Sequence, residues 1–188
     1  FRIIISEISN QSSNITDYFQ IAKGSVTGDI SHYLKKFWEI NHNKYYEYWL
    51  NTPKKSIGWL GRENIVLWNN PNSKIENEIG NAIRGESAWG KTGLAVSKMS
   101  SLNCTLYLGE IFDNNITVII PKNNKHLIPL WTFCTSEHFL KQIKSLDSGL
   151  YITTGTFNGL KIDLEYWQKV AAEKYPNGLP EPYSDDPT

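Results

Sequence analysis

The sequence carries no net charge, has only two cysteines and lacks any apolar run long enough for a membrane helix. Nineteen Lys and Arg residues balance nineteen Asp and Glu residues, so net charge alone indicates no class of partner. Cys104 and Cys134 both lie in apolar segments and are expected to be buried free thiols, although their spacing leaves a disulfide open. No segment approaches the ~20 apolar residues of a transmembrane helix. No signal peptide is recognisable either, so we expect a cytoplasmic protein without a membrane partner.

The motifs that would define an enzyme are also missing. No G-x-S-x-G nucleophile elbow is present. Four residues have the chemistry of zinc ligands without the paired C-x₂₋₄-C spacing that zinc sites show: Cys104, His126, Cys134 and His138. Asp163, Glu165 and Lys169 resemble an acidic nuclease set, but the solvated face of a helix explains them better. We therefore expect neither catalytic residues nor a metal site in this chain.

Residues 85–92, GESAWGKT, match the P-loop pattern G-x-x-x-x-G-K-[ST], whose amides and lysine hold nucleotide phosphates. A working P-loop follows a buried strand and leads into a helix. Here the preceding residues have helical spacing and the following residues are typical of a strand, which is the reverse order. The best downstream apolar strand also ends in Pro121 rather than in an Asp for Mg²⁺. We interpret the segment as a Gly-flanked turn, with a nucleotide-binding enzyme as the alternative.

Charge and aromatic residues are unevenly distributed along the chain. Residues 1–162 contain 17 basic and 13 acidic residues, whereas residues 163–188 contain two basic and six acidic residues. A mildly basic body is compatible with nucleic acid without requiring it. The chain also has seven Trp, ten Tyr and seven Phe, and four aromatics cluster at Tyr45, Tyr46, Tyr48 and Trp49. That cluster suits stacking on bases, docking of another protein or packing in the core.

The spacing of apolar residues predicts a mixed module of helices and strands. Strands are predicted at 18–23, 64–68, 94–99, 104–108, 116–121 and 150–157, with a further one at 1–8. Helices are predicted at 73–84, at 163–174, and as a pair over 126–146 that breaks near Thr135 with Ser136 as the cap. Residues 31–39 suit either a strand or a helix, residues 41–58 are expected to be irregular, and residues 113–115 to form a hairpin turn.

Several long segments resemble a known family. They are GSVTGDISHYLKKFWEI, WGKTGLAVSKMSSLNCTLYLGEIFDNNITVIIPK, HLIPLWTFCTSEHFLKQIKSLD and FNGLKIDLEYWQKVAAEKYPNGLPEPYSDDPT. They are similar to the C-terminal half of the large bacterial adenine-N6 DNA methyltransferases of restriction-modification and BREX-type phage defence. The resemblance covers most of residues 20–188. It implies an α+β fold with a mixed, mainly antiparallel sheet and several helices, of the TaqI-like specificity-domain type.

The resemblance implies DNA recognition rather than catalysis. The family's Asn/Asp-Pro-Pro-Tyr/Phe motif and Gly-rich S-adenosylmethionine loop are both absent from this sequence. The catalytic half, and the S-adenosylmethionine cofactor, would therefore lie upstream, and this chain needs no cofactor. The expected division is a lead-in from that half at 1–19, a target-recognition domain at 20–175 and a Pro-rich linker at 176–188. The expected partners are double-stranded DNA and the upstream methyltransferase domain of the same chain.

Residue type and placement suggest which side chains would contact DNA. Lys91, at the approach to the predicted strand 94–99, and Lys98, within that strand, are expected to meet phosphates or base edges. Four uncharged residues nearby or in the Gly-rich turn are expected to donate or accept hydrogen bonds: Thr92, Ser97, Ser100 and Thr27. The alternative is a protein-interaction module of the same defence enzyme, which would dock partner subunits through the aromatic cluster.

Overall fold

The computed structural model describes residues 12–41, 43–69, 75, 80–99 and 101–181. Within these residues, strands and helices alternate in an α+β arrangement, as predicted. The strands are β1 (Ser13–Asn14), β2 (Phe19–Lys23), β3 (Leu34–Lys36), β4 (Tyr46–Leu50), β5 (Asn64–Leu67), β6 (Gly93–Ser97), β7 (Cys104–Tyr107), β8 (Ile111–Phe112), β9 (Ile116–Pro121) and β10 (Lys161–Ile162). The helices are α1 (Ile15–Tyr18), α2 (Ile30–Tyr33), α3 (Leu127–Cys134), α4 (Glu137–Leu146), α5 (Thr154–Asn158) and α6 (Leu164–Lys174). The strand predicted at 1–8 lies outside the described residues.

The first sheet is antiparallel and has the strand order β2-β9-β6-β7. Its two central strands are buried on both faces, which is why they read as continuous apolar runs in the sequence. Along β6, Leu94 and Val96 face one apolar core while Ala95 faces another. This alternation places a packed layer on each side of the sheet.

The second sheet has the order β3-β5-β4-β8, with β3 at one edge. Its pairs are antiparallel except for β4 and β8, where Trp49 pairs with Ile111 in a parallel register. A separate two-stranded ribbon joins β1 to β10, pairing Ser13 with Ile162. The first sheet is therefore covered on both faces, and the second sheet packs against one of them, the face that carries Ala95.

Helices α1, α3, α4, α5 and α6 pack on the outer face of the first sheet, whereas α2 packs against β3 of the second. Helix α3 contacts both β6 and α6, and its side chains Leu130 and Phe133 are fully buried. Burying an aliphatic or aromatic side chain of this size contributes about 1.5–3 kcal/mol to folding, so this layer supplies much of the stability. The predicted helix break is confirmed, because the Ser136 hydroxyl accepts a hydrogen bond from the Phe139 amide at 3.2 Å and so begins α4.

Residues 12–19 belong to this folded body rather than to a separate lead-in. Ile15 and Phe19 are at most 1% exposed and share the core of Phe157 and Trp167. At the other end, Leu179 packs against the same core beyond the predicted domain boundary at residue 175. The core therefore extends past both ends of the range 20–175.

Four local predictions differ from the structure. Residues 46–50 form β4 instead of an irregular segment, because their partners β5 and β8 are distant in sequence. Residues 154–158 form α5 rather than a strand, because the Thr153 hydroxyl caps a helix there. In the described part of the predicted helix 73–84, Ile75 lies in a 3-10 turn and residues 80–84 are not helical, since Ala82 pairs with Val26 in an isolated bridge. Residues 113–115 form a turn, but β8 and β9 on either side belong to different sheets, so it is not a hairpin.

Candidate nucleic-acid interface

The P-loop-like segment GESAWGKT forms a turn, as the sequence context predicted. Gly85 has a φ of +85° and precedes a short 3-10 turn at Glu86–Ala88, and Gly90 has a φ of +71°. Strand β6 then begins at Gly93, where a nucleotide-binding loop would lead into a helix. The Lys91 ammonium lies 3.4 Å from the Gln20 side-chain oxygen. The segment thus lacks the helix N-terminus that would hold phosphates.

The residues predicted to contact DNA divide into exposed and buried sets. Lys91 and Thr92 are exposed and Thr27 is half-buried, whereas Ser100 lies outside the described residues. Ser97 is 1% exposed, and its hydroxyl accepts a hydrogen bond from the Met99 amide at 3.1 Å. Lys98 is equally buried. Ser97 and Lys98 therefore serve the fold, since they offer no surface to DNA in this arrangement, while contact by the other residues stays a prediction.

The buried Lys98 side chain stabilises the turn at residues 113–115. Its ammonium donates a hydrogen bond to the Asn114 carbonyl at 2.6 Å and lies 5.8 Å from the ring centre of Tyr151. The pKa of Lys98 is lowered to about 8, mainly by burial and also by nearby Lys23, while Asp113 opposes the shift. This burial could not be predicted from the sequence, because a lysine after a strand is usually exposed.

A groove that sequence reasoning missed has the charge that DNA binding needs. It has a volume of about 490 Å³ and is lined by Lys36, Lys54 and Lys55 together with Asn51, Thr52 and one acid, Glu63, and we refer to it as the lysine groove. Lys54 and Lys55 lie in the loop between β4 and β5 and are exposed. The loop therefore presents two adjacent positive charges beside an amide and a hydroxyl.

Hydrogen bonds between side chains fix the floor of the lysine groove. The Trp49 indole N–H donates to the Asn51 side-chain oxygen at 3.1 Å. The Asn51 amide donates in turn to the Asn64 side-chain oxygen at 2.7 Å, and the Lys36 ammonium donates to the same oxygen at 3.0 Å. Because Trp49 is only 2% exposed, this network ties the groove to the core and orients Lys36 and Asn51.

Two exposed aromatic residues adjoin the lysine groove. Phe37 and Trp38 are 54% and 62% exposed, and their ring centres lie 4.9 Å apart. The Lys36 ammonium lies 5.6 Å from the centre of the Trp38 ring. The signal in the sequence was the pair of segments LKKFW and PKK, since residues 30–63 contain six basic and three acidic residues. Only the fold shows that the two segments share one surface.

A second cleft has the opposite character. It has a volume of about 490 Å³ and is lined by Glu47, Tyr48, Trp68, Trp89 and Glu110, and we call it the acidic cleft. The Trp68 and Trp89 rings meet edge to face with centres 5.4 Å apart. The Glu47 carboxylate on its walls disfavours a polyanion, whereas Glu110 is already paired with Arg62, so the acidic cleft is a poorer site for DNA than the lysine groove.

The predicted aromatic cluster is split by the pleat of β4. Tyr48 is 60% exposed and borders the acidic cleft, whereas Trp49 is buried in the core. Tyr45 and Tyr46 are half-buried. Alternating side chains of a strand point to opposite faces, so these aromatics do not form one binding surface.

The residues considered as zinc ligands have other surroundings. Cys104 and Cys134 are buried free thiols in the main core, and burial raises the pKa of both. His126 lies beside Tyr18 and Phe19, and His138 lies beside Phe133. Over the described residues, no group of three or more His, Cys, Asp or Glu side chains is placed to hold a metal ion. None of the helices described is long and apolar enough to cross a membrane.

Comparison with known proteins identifies the fold. No family model matches the sequence, and no curated protein matches it. Among solved structures, the chain is similar to the HsdS subunit from Thermoanaerobacter tengcongensis, with a TM-score of 0.52 and 9% sequence identity. The match covers 92% of this chain and 39% of that chain, so it spans well under half of the HsdS subunit. The chain has an HsdS-like α+β fold, which confirms the predicted fold class.

Proposed function

We propose that this chain is the DNA sequence-recognition module of a restriction-modification system. HsdS is the specificity subunit of type I restriction-modification systems, and its fold is the one found here. The observation that carries the proposal is the lysine groove, where Lys36, Lys54 and Lys55 lie beside Asn51 and Thr52. Cations hold the phosphates of a duplex, and amide and hydroxyl groups read base edges, so the groove combines both requirements.

The residues of the lysine groove suit different roles. Lys54 and Lys55 are exposed, and flexible ammonium groups are suited to phosphates. Asn51 is held by Trp49 and Asn64, and its amide nitrogen donates to Asn64 alone among the described residues. One amide hydrogen is left for a base acceptor, on a side chain whose orientation is already fixed. A fixed polar group costs less entropy on binding than a mobile one, which favours Asn51 as a reader of sequence.

We further propose that the module serves an adenine-N6 DNA methyltransferase acting in the cytoplasm in restriction-modification or phage defence. The support for this finer assignment is the sequence resemblance over residues 20–188. The methyltransferase domain, with S-adenosylmethionine as cofactor, would lie upstream in the same chain and would be the module's second partner. An enzyme that modifies a base must extrude it from the duplex, and a recognition module fixes which adenine is presented.

Binding of duplex DNA at several salt concentrations tests the proposed function. We expect the affinity to fall as salt rises, with a slope set by the number of phosphate contacts. The double variant Lys54→Ala/Lys55→Ala is expected to reduce that slope by about two. The matched control is Lys141→Ala/Lys144→Ala, which removes the same charge from two exposed residues of α4. Affinity that does not depend on salt, or equal loss in both double variants, would contradict the assignment of the groove.

The acidic cleft supports a second candidate function, the docking of a protein partner. Tyr48, Trp68 and Trp89 offer aromatic faces next to the Glu47 carboxylate, which suits basic side chains such as arginine. The test is co-purification of the chain with the methyltransferase part of the same enzyme. Loss of the complex in Tyr48→Ala, with DNA affinity retained, would favour this function for the cleft.

A further inference from the structure

We propose that Phe37 and Trp38, the aromatic pair, stack on a DNA base that has left its pair, next to the phosphates held by the lysine groove. This inference rests on the proposed function and names the form of DNA that the surface prefers. It concerns an opened step in a duplex rather than a fully paired one.

The exposure of the aromatic pair is not explained by the fold. Both side chains are more than half exposed, although each ring would gain free energy from burial in the core. Tyr33 is buried and Leu34 is half-buried, whereas both rings that follow β3 are presented to solvent, as is Ile30. Adjacent exposed aromatics of this kind mark a binding surface.

The aromatic pair is held on a closed turn at the end of the edge strand β3. The Phe37 amide donates to the Glu63 carbonyl at 3.1 Å, which continues the pairing of β3 with its neighbour. The Glu39 amide donates to the Lys36 carbonyl at 3.0 Å, and the Lys36 amide donates to a Glu39 carboxylate oxygen at 2.9 Å. These bonds fix the backbone on both sides of the rings, so a ligand meets them in a set orientation.

The surrounding charge selects a polyanion as the occupant. Lys35 and Lys36 precede the pair directly, and Lys54 and Lys55 line the adjoining groove, whereas Glu39 and Glu63 are the nearby acids. Aromatic rings surrounded by cations suit nucleic acid, because the cations bind its phosphates and the rings stack on its bases. In a paired duplex the base faces are covered by their neighbours, so the rings find a partner only where a step is opened.

Fluorescence anisotropy with two labelled DNAs tests this inference. One is a fully paired duplex and the other is the same duplex with a mismatched step at its centre. We expect the chain to bind the mismatched duplex about tenfold more tightly, a factor typical of one stacked base. Trp38→Ala should remove this preference and leave the affinity for the paired duplex within about twofold. Trp38→Phe should keep most of the preference, because a ring remains.

A second readout reports stacking directly. 2-Aminopurine placed at the mismatched position should be quenched by the chain and by Trp38→Phe, but not by Trp38→Ala. Tyr166→Ala is the control, since this exposed ring lies on α6, away from the groove. A preference that persists in Trp38→Ala would overturn the inference and leave the proposed function standing. Absence of salt-dependent binding to both DNAs would overturn the two together.

Discussion

Arg62 and Glu110 form an ion pair that joins the two four-stranded sheets, with the Arg62 Nε 2.7 Å from a Glu110 carboxylate oxygen. Arg62 lies just before β5 of the second sheet and also donates to the Leu106 carbonyl in β7 of the first. The other oxygen of Glu110 accepts the Leu108 amide at 2.9 Å. The side chains are only 23% and 12% exposed, so water screens this pair weakly.

Loss of this ion pair is expected to destabilise the domain. Glu110→Ala leaves the Arg62 charge without its carboxylate and should lower the free energy of unfolding by about 2 kcal/mol. Urea denaturation followed by tryptophan fluorescence measures the change. The control is Lys141→Ala, which removes a pair with Glu137 at 3.5 Å whose side chains are 73% and 87% exposed. That variant should stay within about 0.5 kcal/mol of the parent, and equal losses in both would refute the structural role of Arg62–Glu110.

Stability should depend on pH through Lys98. Below its folded pKa of about 8, Lys98 is charged in both the folded and unfolded states, and the full cost of burying the charge is present. As the pH rises from there towards the ordinary lysine pKa of ~10.4, the unfolded state binds more protons than the folded state. Stability relative to Lys98→Met therefore rises across this window, by at most about 1.4 kcal/mol per pH unit. Denaturation of both proteins at several pH values checks this, and a constant difference between them would show that Lys98 keeps an ordinary pKa.

Lys91 and Lys98 should differ in their effect on DNA binding. Lys91 is exposed, so Lys91→Ala is expected to reduce the salt slope of duplex binding by about one if its ammonium meets a phosphate. Lys98 is buried, so Lys98→Met should leave the slope unchanged. Filter binding or anisotropy over a salt series separates the two. A slope that changes with Lys98 and not with Lys91 would contradict the expectation and place the DNA at the opposite end of β6.

The glycines of the P-loop-like segment should matter for packing. A Cβ on Gly85 would lie 2.6 Å from the Phe112 ring and 2.9 Å from the Lys23 carbonyl, at a φ of +85°. A Cβ on Gly90, at a φ of +71°, would meet nothing within 4 Å. Gly85→Ala should therefore lower the melting temperature clearly more than Gly90→Ala, which pays for backbone strain alone. Thermal denaturation compares them, and similar shifts would mean that Phe112 moves aside.

The sequence predicted the elements whose signals are local. The break between α3 and α4 depends on one serine cap, and β6 and β9 are mostly apolar because both of their faces are buried. The P-loop match could be rejected for the same reason, since a strand pattern directly follows Thr92. Such features depend on a few neighbouring residues, so they can be predicted from the sequence alone.

The missed features depend on partners far away in the chain. Strand β4 exists because Tyr48 pairs with Ile65 on one side and Trp49 pairs with Ile111 on the other. The lysine groove was missed because Lys36 and Lys54 come together only once β3, β4 and β5 form one sheet. Lys98 was assigned to the surface because its residue type favours exposure, and the fold overrides that preference through the Asn114 carbonyl.

The ribbon of β1 and β10 brings residues 13–14 next to residues 161–162. Asn14 pairs with Lys161, and both large sheets are formed by the residues between them. A segment whose two boundaries are neighbours can be exchanged as a unit, since the joints on its host stay in register. The two ends of the segment that forms both large sheets therefore lie side by side, an arrangement that tolerates insertion into a longer chain and circular permutation.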